Sequence, residues 1–144
     1  MSRTAQVPGE TEALLVEEIA LFLSVHLGRS PGLMWPEHEP PEPGDLEAFL
    51  PAALTGRLGR PVTVLPHPAE RDTVAHDLLV CQLGGSSTWH IAPPAGAALT
   101  LRLQAGSVLH APAGSVCTPR HGSRSRVLPL AVGNRRSERE EEDP

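Results

Sequence analysis

Six short apolar runs lie between Pro61 and Val132: PVTVLP, LLVCQL, STWHIA, ALTLRL, SVLHAP and RVLPLAV. Clusters of Gly, Pro and Ser separate them. Each run is too short for a stable helix and is rich in residues that suit a pleated, half-buried surface. The Pro and Gly between them force the chain to turn. A chain of this kind has one economical solution, an all-β barrel or sandwich. The clearest strand is LTLRLQ, where Leu99, Leu101 and Leu103 alternate with Thr100 and Arg102, so the leucines point inward. LGGSSTW reads as a hairpin turn.

The first part of the chain has a different period. Residues 1–9 form a loose leader. Glu10 to Leu27 reads as a helix, with Leu15, Ile19, Phe22 and Leu23 at helical spacing and Gly28 as the stop. Ser30 to Gly44 is too rich in proline for helix or central strand; it is a linker or a draped loop that Trp35 anchors by packing into the body. Asp45 is a plausible N-cap for LEAFLPAALTGRLG, which Pro51 splits into two short helices or kinks. The organisation expected is therefore a helical segment over 10–59 containing the linker 30–44, a barrel over 60–133, and a charged, disordered tail over 134–144.

At 144 residues, one domain is expected. With two Phe, two Trp and no Tyr, Leu, Val and Ala must build its core. The net charge of −5 disfavours nucleic acid as the main partner. All twelve basic residues are arginine, so no amine is available for a Schiff base. No apolar stretch is long enough to span a bilayer, and Met1 to Glu10 has no secretory pattern. A bacterial, cytoplasmic protein with both cysteines reduced is expected. LGGSS lacks the lysine and following helix of a phosphate-binding loop, and no G-x-S-x-G elbow occurs. Cys81, in the middle of an apolar run, reads as buried and inert.

Two segments carry a resemblance. HDLLVCQLGGSSTWHI, His76 to Ile91, and GSVLHAPAGSVC, Gly106 to Cys117, together resemble the strand-turn-strand signature and the second motif of JmjC-type cupins. Asp77, Gln82, Gly84 and Trp89 fill the places of the first; Gly106, Pro112 and Gly114 fill those of the second. The resemblance spans roughly Val62 to Gly133. It implies a mainly β fold, a double-stranded β-helix with an N-terminal helical segment. In active members it implies Fe(II) held by two His and one carboxylate, with 2-oxoglutarate as co-substrate.

The ligand places depart from that pattern. The family spacing puts the His-x-Asp pair at Asp72-Thr73-Val74, and the later histidine at Cys117. No metal or catalytic residue is favoured for this reason, and a binding or regulatory module is the first reading. The enzyme reading is a 2-oxoglutarate-dependent hydroxylase whose displaced ligands come from His67, Asp72, His76, His110, Cys117 and His121. A third reading is a small zinc cupin built on Cys117 and His121 with His76 or Asp72. Arg102, Arg124 and Arg126 are the groups able to grip a 2-oxoglutarate carboxylate if they face inward. If Val108 and His110 share a face, His110 looks into the barrel. Arg120, Arg124 and Arg126 form a basic patch, read first as a solvated edge. A protein partner or a small molecule in the barrel, and a homodimer formed through edge strands or helices, complete the expectations.

Overall fold

The computed structural model describes residues 8–37, 43–66 and 72–133. The leader up to residue 7, the tail 134–144, His67 and part of the proline-rich stretch lie outside the described residues. The elements run α1 (Pro8–His26), β1 (Gly32–Met34), α2 (Pro43–Leu58), β2 (Val62–Val64), β3 (Asp72–Thr73), β4 (Asp77–Gly84), β5 (Ser86–Ala92), β6 (Leu99–Gln104), β7 (Val108–Ala111), β8 (Val116–His121) and β9 (Arg126–Val132). All six expected runs are strands.

The pairing follows one rule. β5 pairs with β6, β4 with β7, β3 with β8 and β2 with β9, all antiparallel. That is one long ribbon folded at a β5–β6 apex. Wrapping the ribbon brings β4 against β9 and β5 against β8. Two sheets result, in the orders β1-β7-β4-β9-β2 and β3-β8-β5-β6. This is the jelly-roll winding of a cupin, the double-stranded β-helix.

The helices add a third layer. Along β4, Leu79 and Cys81 join the cluster that contains Leu15, Ile19 and Leu23 of α1 and Leu46, Leu50 and Leu54 of α2. Leu78 and Val80 join the cluster between the sheets, with Trp89, Ile91, Leu103 and Cys117. Along β7, Leu109 and Ala111 likewise face the space between the sheets, and Val108 faces the helices. The five-stranded sheet is therefore covered on both faces. This is why β4 reads as an almost unbroken apolar run, whereas β6, with one solvated face, alternates.

Several expectations are corrected. The proline-rich segment contributes a strand after all: Gly32–Met34 pairs with Val108–His110. Trp35 does not anchor it, being 58% exposed. Asp45 is not the cap of α2, which starts at Pro43, a proline suited to a first turn that needs no N–H partner. Of the two expectations for Pro51, two short helices or one kinked one, the split is overturned: α2 is one helix with Pro51 inside it. A proline inside a helix costs about 3 kcal/mol. Burying Leu46, Leu50 and Leu54 offsets it, at about 1.5–3 kcal/mol each. LGGSSTW is not a hairpin: β4 and β5 belong to different sheets, so the turn is a corner. Gly85 makes that corner at φ +66°, and a Cβ there would meet Arg124 O at 2.5 Å.

Candidate functional site

The row that the cupin resemblance assigns to metal ligands can be located by register. Asp72 of β3 stands opposite Cys117 of β8, and Cys117 stands opposite Ile91 of β5. Val74 follows β3, and its amide donates to Ser115 O at 2.9 Å. The ligand strands thus stand side by side as the winding requires. What they present is different. Cys117 is buried among Ile91, Trp89, Leu78 and Val80, and Val74 packs against the same cluster. Ser115 Oγ is buried without a hydrogen-bond partner. An Fe(II) facial triad needs two imidazoles and a carboxylate around open positions. Among the described side chains of this row, one thiol, one orphan hydroxyl and aliphatic walls supply no imidazole.

The other candidate ligands are dispersed. Cys117 and His121 lie four residues apart on β8. At about 3.3 Å per residue their Cα atoms are about 13 Å apart, too far to share one ion, so the zinc arrangement built on both is ruled out. His121 sits at the far end of β8, opposite Ser87, with Nδ1 3.1 Å from Ser125 Oγ and its ring edge-on to Trp89. His76 is exposed in the turn before β4. Among the described residues, no three His, Cys, Asp or Glu side chains converge on one point. Arg102, Arg120, Arg124 and Arg126 are all exposed, so none of these four points into the barrel.

His110 does share a face with Val108, but that face looks at the helices and not into the barrel. It is fully buried. Its Nε2 lies 2.8 Å from Asp77 Oδ2 and its Nδ1 lies 2.9 Å from Ser30 O. Both contacts are acceptors when Asp77 is ionised, so the arrangement is complete when both ring nitrogens carry protons. Asp77 also accepts from the Gly28 amide at 2.6 Å and the Ala113 amide at 3.1 Å. Burial pushes the Asp77 carboxyl up, but the His110, Gly28 and Ala113 hydrogen bonds outweigh it and hold the group below the usual aspartate range. Beside this pair, His26 Nδ1 lies 3.1 Å from Ser30 Oγ, and its ring stacks obliquely on Phe22. Burial, with repulsion from His110, pushes His26 below the ordinary histidine value. This cluster fastens the end of α1 to β4 and β7.

Sequence reasoning placed Asp77 in a family motif but missed its partners. The available signal was Gly28, which turns the chain at φ +71° and offers its amide to the carboxylate. The other motif residues hold the β4–β5 corner. Trp89 Nε1 donates to Ser87 Oγ at 2.9 Å, Ser87 Oγ donates to Gln82 Oε1 at 2.6 Å, and Gln82 Nε2 donates to Gly84 O and Ser125 Oγ. Cys81 is buried on the helix side, its thiol pushed up to about 12 by burial.

On the outer face of the four-stranded sheet lies a shallow cavity of about 210 Å³. His90, Thr100 and Thr118 cross its floor, with Ala92, Ala98 and Val116 around them. His90 Nδ1 is 2.8 Å from Thr100 Oγ1. It lies outside the barrel.

No family model matches the chain. No curated protein matches it either. Solved structures do. The Escherichia coli ribosomal oxygenase YcfD aligns at 17% identity and TM-score 0.40, over 50% of this chain and 21% of that one. A cupin superfamily protein of Desulfitobacterium hafniense aligns at 14% identity and TM-score 0.37, over 52% of this chain and 78% of that one. The Drosophila melanogaster CENP-C cupin domain aligns at 11% identity and TM-score 0.38, over 90% of this chain and 99% of that one. The chain thus spans about a fifth of the ribosomal oxygenase and nearly all of the CENP-C domain.

Proposed function

We propose that this chain is a divergent JmjC-like cupin domain that works as a binding or regulatory module, without an Fe(II) centre. The observation that carries the reading is the Asp72–Cys117–Ile91 row, where the fold's ligand strands meet and Cys117, packed among aliphatic side chains, stands where an imidazole is expected. The exposed arginines add to it, since none is placed to grip a co-substrate inside the barrel. The test is metal and turnover together. Protein purified without added metal is expected to carry far less than one equivalent of iron or zinc, and to release no succinate from 2-oxoglutarate after anaerobic Fe(II) loading. Near-stoichiometric iron with succinate release would overturn the reading in favour of a hydroxylase.

Self-association belongs to the same proposal, and the edge strand β6 supports it. Two of the sheet edges are blunted by brevity, since β1 and β2 have three residues each, whereas the edge strand β6 has six. Leu99-Thr100-Leu101-Arg102-Leu103 has the same polarity read from either end. An antiparallel pair centred on Leu101 sets leucine against leucine on the inner face and Thr100 against Arg102 on the outer face. Thr100→Arg would oppose two arginines and is expected to convert a dimer to monomer in sedimentation; adding Arg102→Glu is expected to restore it. A dimer indifferent to both changes refutes this seam.

A further inference from the structure

Between Leu78 and Gly133 the sequence has four arginines and no Asp or Glu, although the whole chain carries 17 acidic residues against 12 basic ones. Two of those arginines share a row. Thr88 of β5 stands opposite Arg102 of β6 on one side and Arg120 of β8 on the other. Their neighbours Trp89, Leu101 and Leu103 pack between the sheets, so alternation turns Arg102, Thr88 and Arg120 outward. With strands about 4.8 Å apart, the two arginine Cα atoms stand about 10 Å apart, astride Thr88. Both side chains are exposed, and among the described residues neither has an ion pair or a hydrogen bond. The positive charge of this row is therefore open, and no carboxylate of its own sheet face answers it.

Two further rows of the same face form the shallow cavity. One step along the strands His90 stands opposite Thr100 and Thr118, and the next step sets Ala92 opposite Val116, with Ala98 beside them. His90 Nδ1 is committed to Thr100 Oγ1 at 2.8 Å, and Nε2 has no partner among the described residues. Over about 13 Å the face thus grades from guanidinium, through hydroxyl and imidazole, to small apolar side chains. An apolar cavity of about 150 Å³ takes one benzene ring, so about 210 Å³ admits a single ring or a short aliphatic group. Guanidinium forks match phosphate oxygens, and two of them astride one point suit a dianion better than a single carboxylate. Nucleic acid is a poorer match. Among the outward side chains of β5, β6 and β8, His90 is the one aromatic ring on which a base could stack, and the net charge of −5 opposes a long polyanion. We infer that the outer face of the four-stranded sheet binds a small organic phosphate, its phosphoryl oxygens held by Arg102 and Arg120 and its organic part seated over His90 against Ala92 and Val116. The site lies outside the barrel and is independent of the iron question.

Phenyl phosphate is the probe, titrated into the full chain at pH about 8, where a phosphomonoester is dianionic. NMR follows the ring C–H signals of the histidines. His90→Gln identifies the His90 signal by its loss, and the exposed His76, in the turn before β4, is the remote reference. The expected result is a saturable shift of His90 while His76 stays still. Inorganic phosphate is expected to bind about tenfold more weakly, and phenol at the same concentration to leave His90 unmoved. Arg102→Gln and Arg120→Gln, both at exposed positions, are each expected to weaken phenyl phosphate about tenfold, the scale of one charge-assisted hydrogen bond. Arg126→Gln is expected to leave the affinity unchanged, because Arg126 stands opposite Gly84 in the other sheet. An unchanged urea midpoint certifies the fold of each variant. Binding that ignores both Arg102→Gln and Arg120→Gln, or no binding at all, would overturn the proposal. So would an equal loss in Arg126→Gln, which would mean diffuse charge, and so would a phenol shift as large as that of phenyl phosphate. A single-stranded DNA oligonucleotide that displaces the probe and is weakened equally by all three arginine changes would show a polyanion surface, which also overturns it.

Discussion

Removing the Asp77 carboxylate tests the fastening between α1 and the barrel. Asp77→Ala deletes the acceptor of three hydrogen bonds, from Gly28, His110 and Ala113. Bonds to a charged group contribute about 1.5–3 kcal/mol each, so a simple sum gives roughly 5–9 kcal/mol. That sum overshoots. Gly28 and Ala113 are exposed, so water can take over their amides. His110 has no exposure and keeps an unpaired Nε2. Stranding one member of a buried pair costs about 3–5 kcal/mol, and water at the two amides places this case near the lower end, about 3 kcal/mol. Against a total stability of about 5–15 kcal/mol this is a large loss. It corresponds to a fall of about 9 °C in Tm, at about 3 °C per kcal/mol for a chain of this size. Urea unfolding at neutral pH is the assay, with the midpoint expected to drop and the slope to hold. His110→Ala should cost less when made on top of Asp77→Ala, with a coupling of about 1–3 kcal/mol. A loss below about 1 kcal/mol for Asp77→Ala, or strict additivity of the two changes, would refute the argument. The sign of the pH dependence follows from the lowered Asp77 carboxyl. Its contribution is present above the unfolded aspartate value of about 3.9 and is lost as pH falls through the lower folded value, so the variant should lose the part of the acid dependence that the wild type shows there.

Gly85→Ala should destabilise by at least about 1–3 kcal/mol, because φ +66° strains a side chain and the added Cβ meets Arg124 backbone oxygen at 2.5 Å; thermal unfolding checks it, and an unchanged midpoint contradicts the corner geometry. His26, pushed down by burial and His110, should make stability fall as pH drops from about 6.5 through its lower folded value, and His26→Gln should flatten that stretch of a urea-midpoint-versus-pH curve. Both cysteines are buried, so a thiol reagent at neutral pH should label neither until the chain opens, and labelling rates should follow the urea profile.

The sequence made some of this legible and hid the rest for identifiable reasons. Leu99, Leu101 and Leu103 announced β6 because one face of that strand meets water. β4, buried on both faces, gave only a continuous run, and nothing in it told which residues would face helices. β8 was hidden by Pro119, which argues against a central strand. Among the described residues, its neighbour β3 pairs with Val116 and Cys117 alone. β1 was masked by proline on both flanks, and its pairing with β7 depends on the turn at Gly28 and Ser30. The spacing of Cys117 and His121 along β8 and the face of His110 are properties of winding, which no local pattern records. The Asp77 contacts to Gly28 and His110 span 49 and 33 residues, and side chains so far apart leave no periodic trace.

The anchoring of α1 has a practical corollary for anyone trimming this polypeptide. A fragment beginning near Pro61 would keep every strand of the rolled ribbon and still lack a lid for half of its larger sheet. Leu79, Leu128 and Leu130 would be laid bare, and His110 would lose the Ser30 carbonyl. Helices and ribbon share one apolar cluster, so a fragment that starts at Pro61 is expected to unfold at lower urea than the full chain.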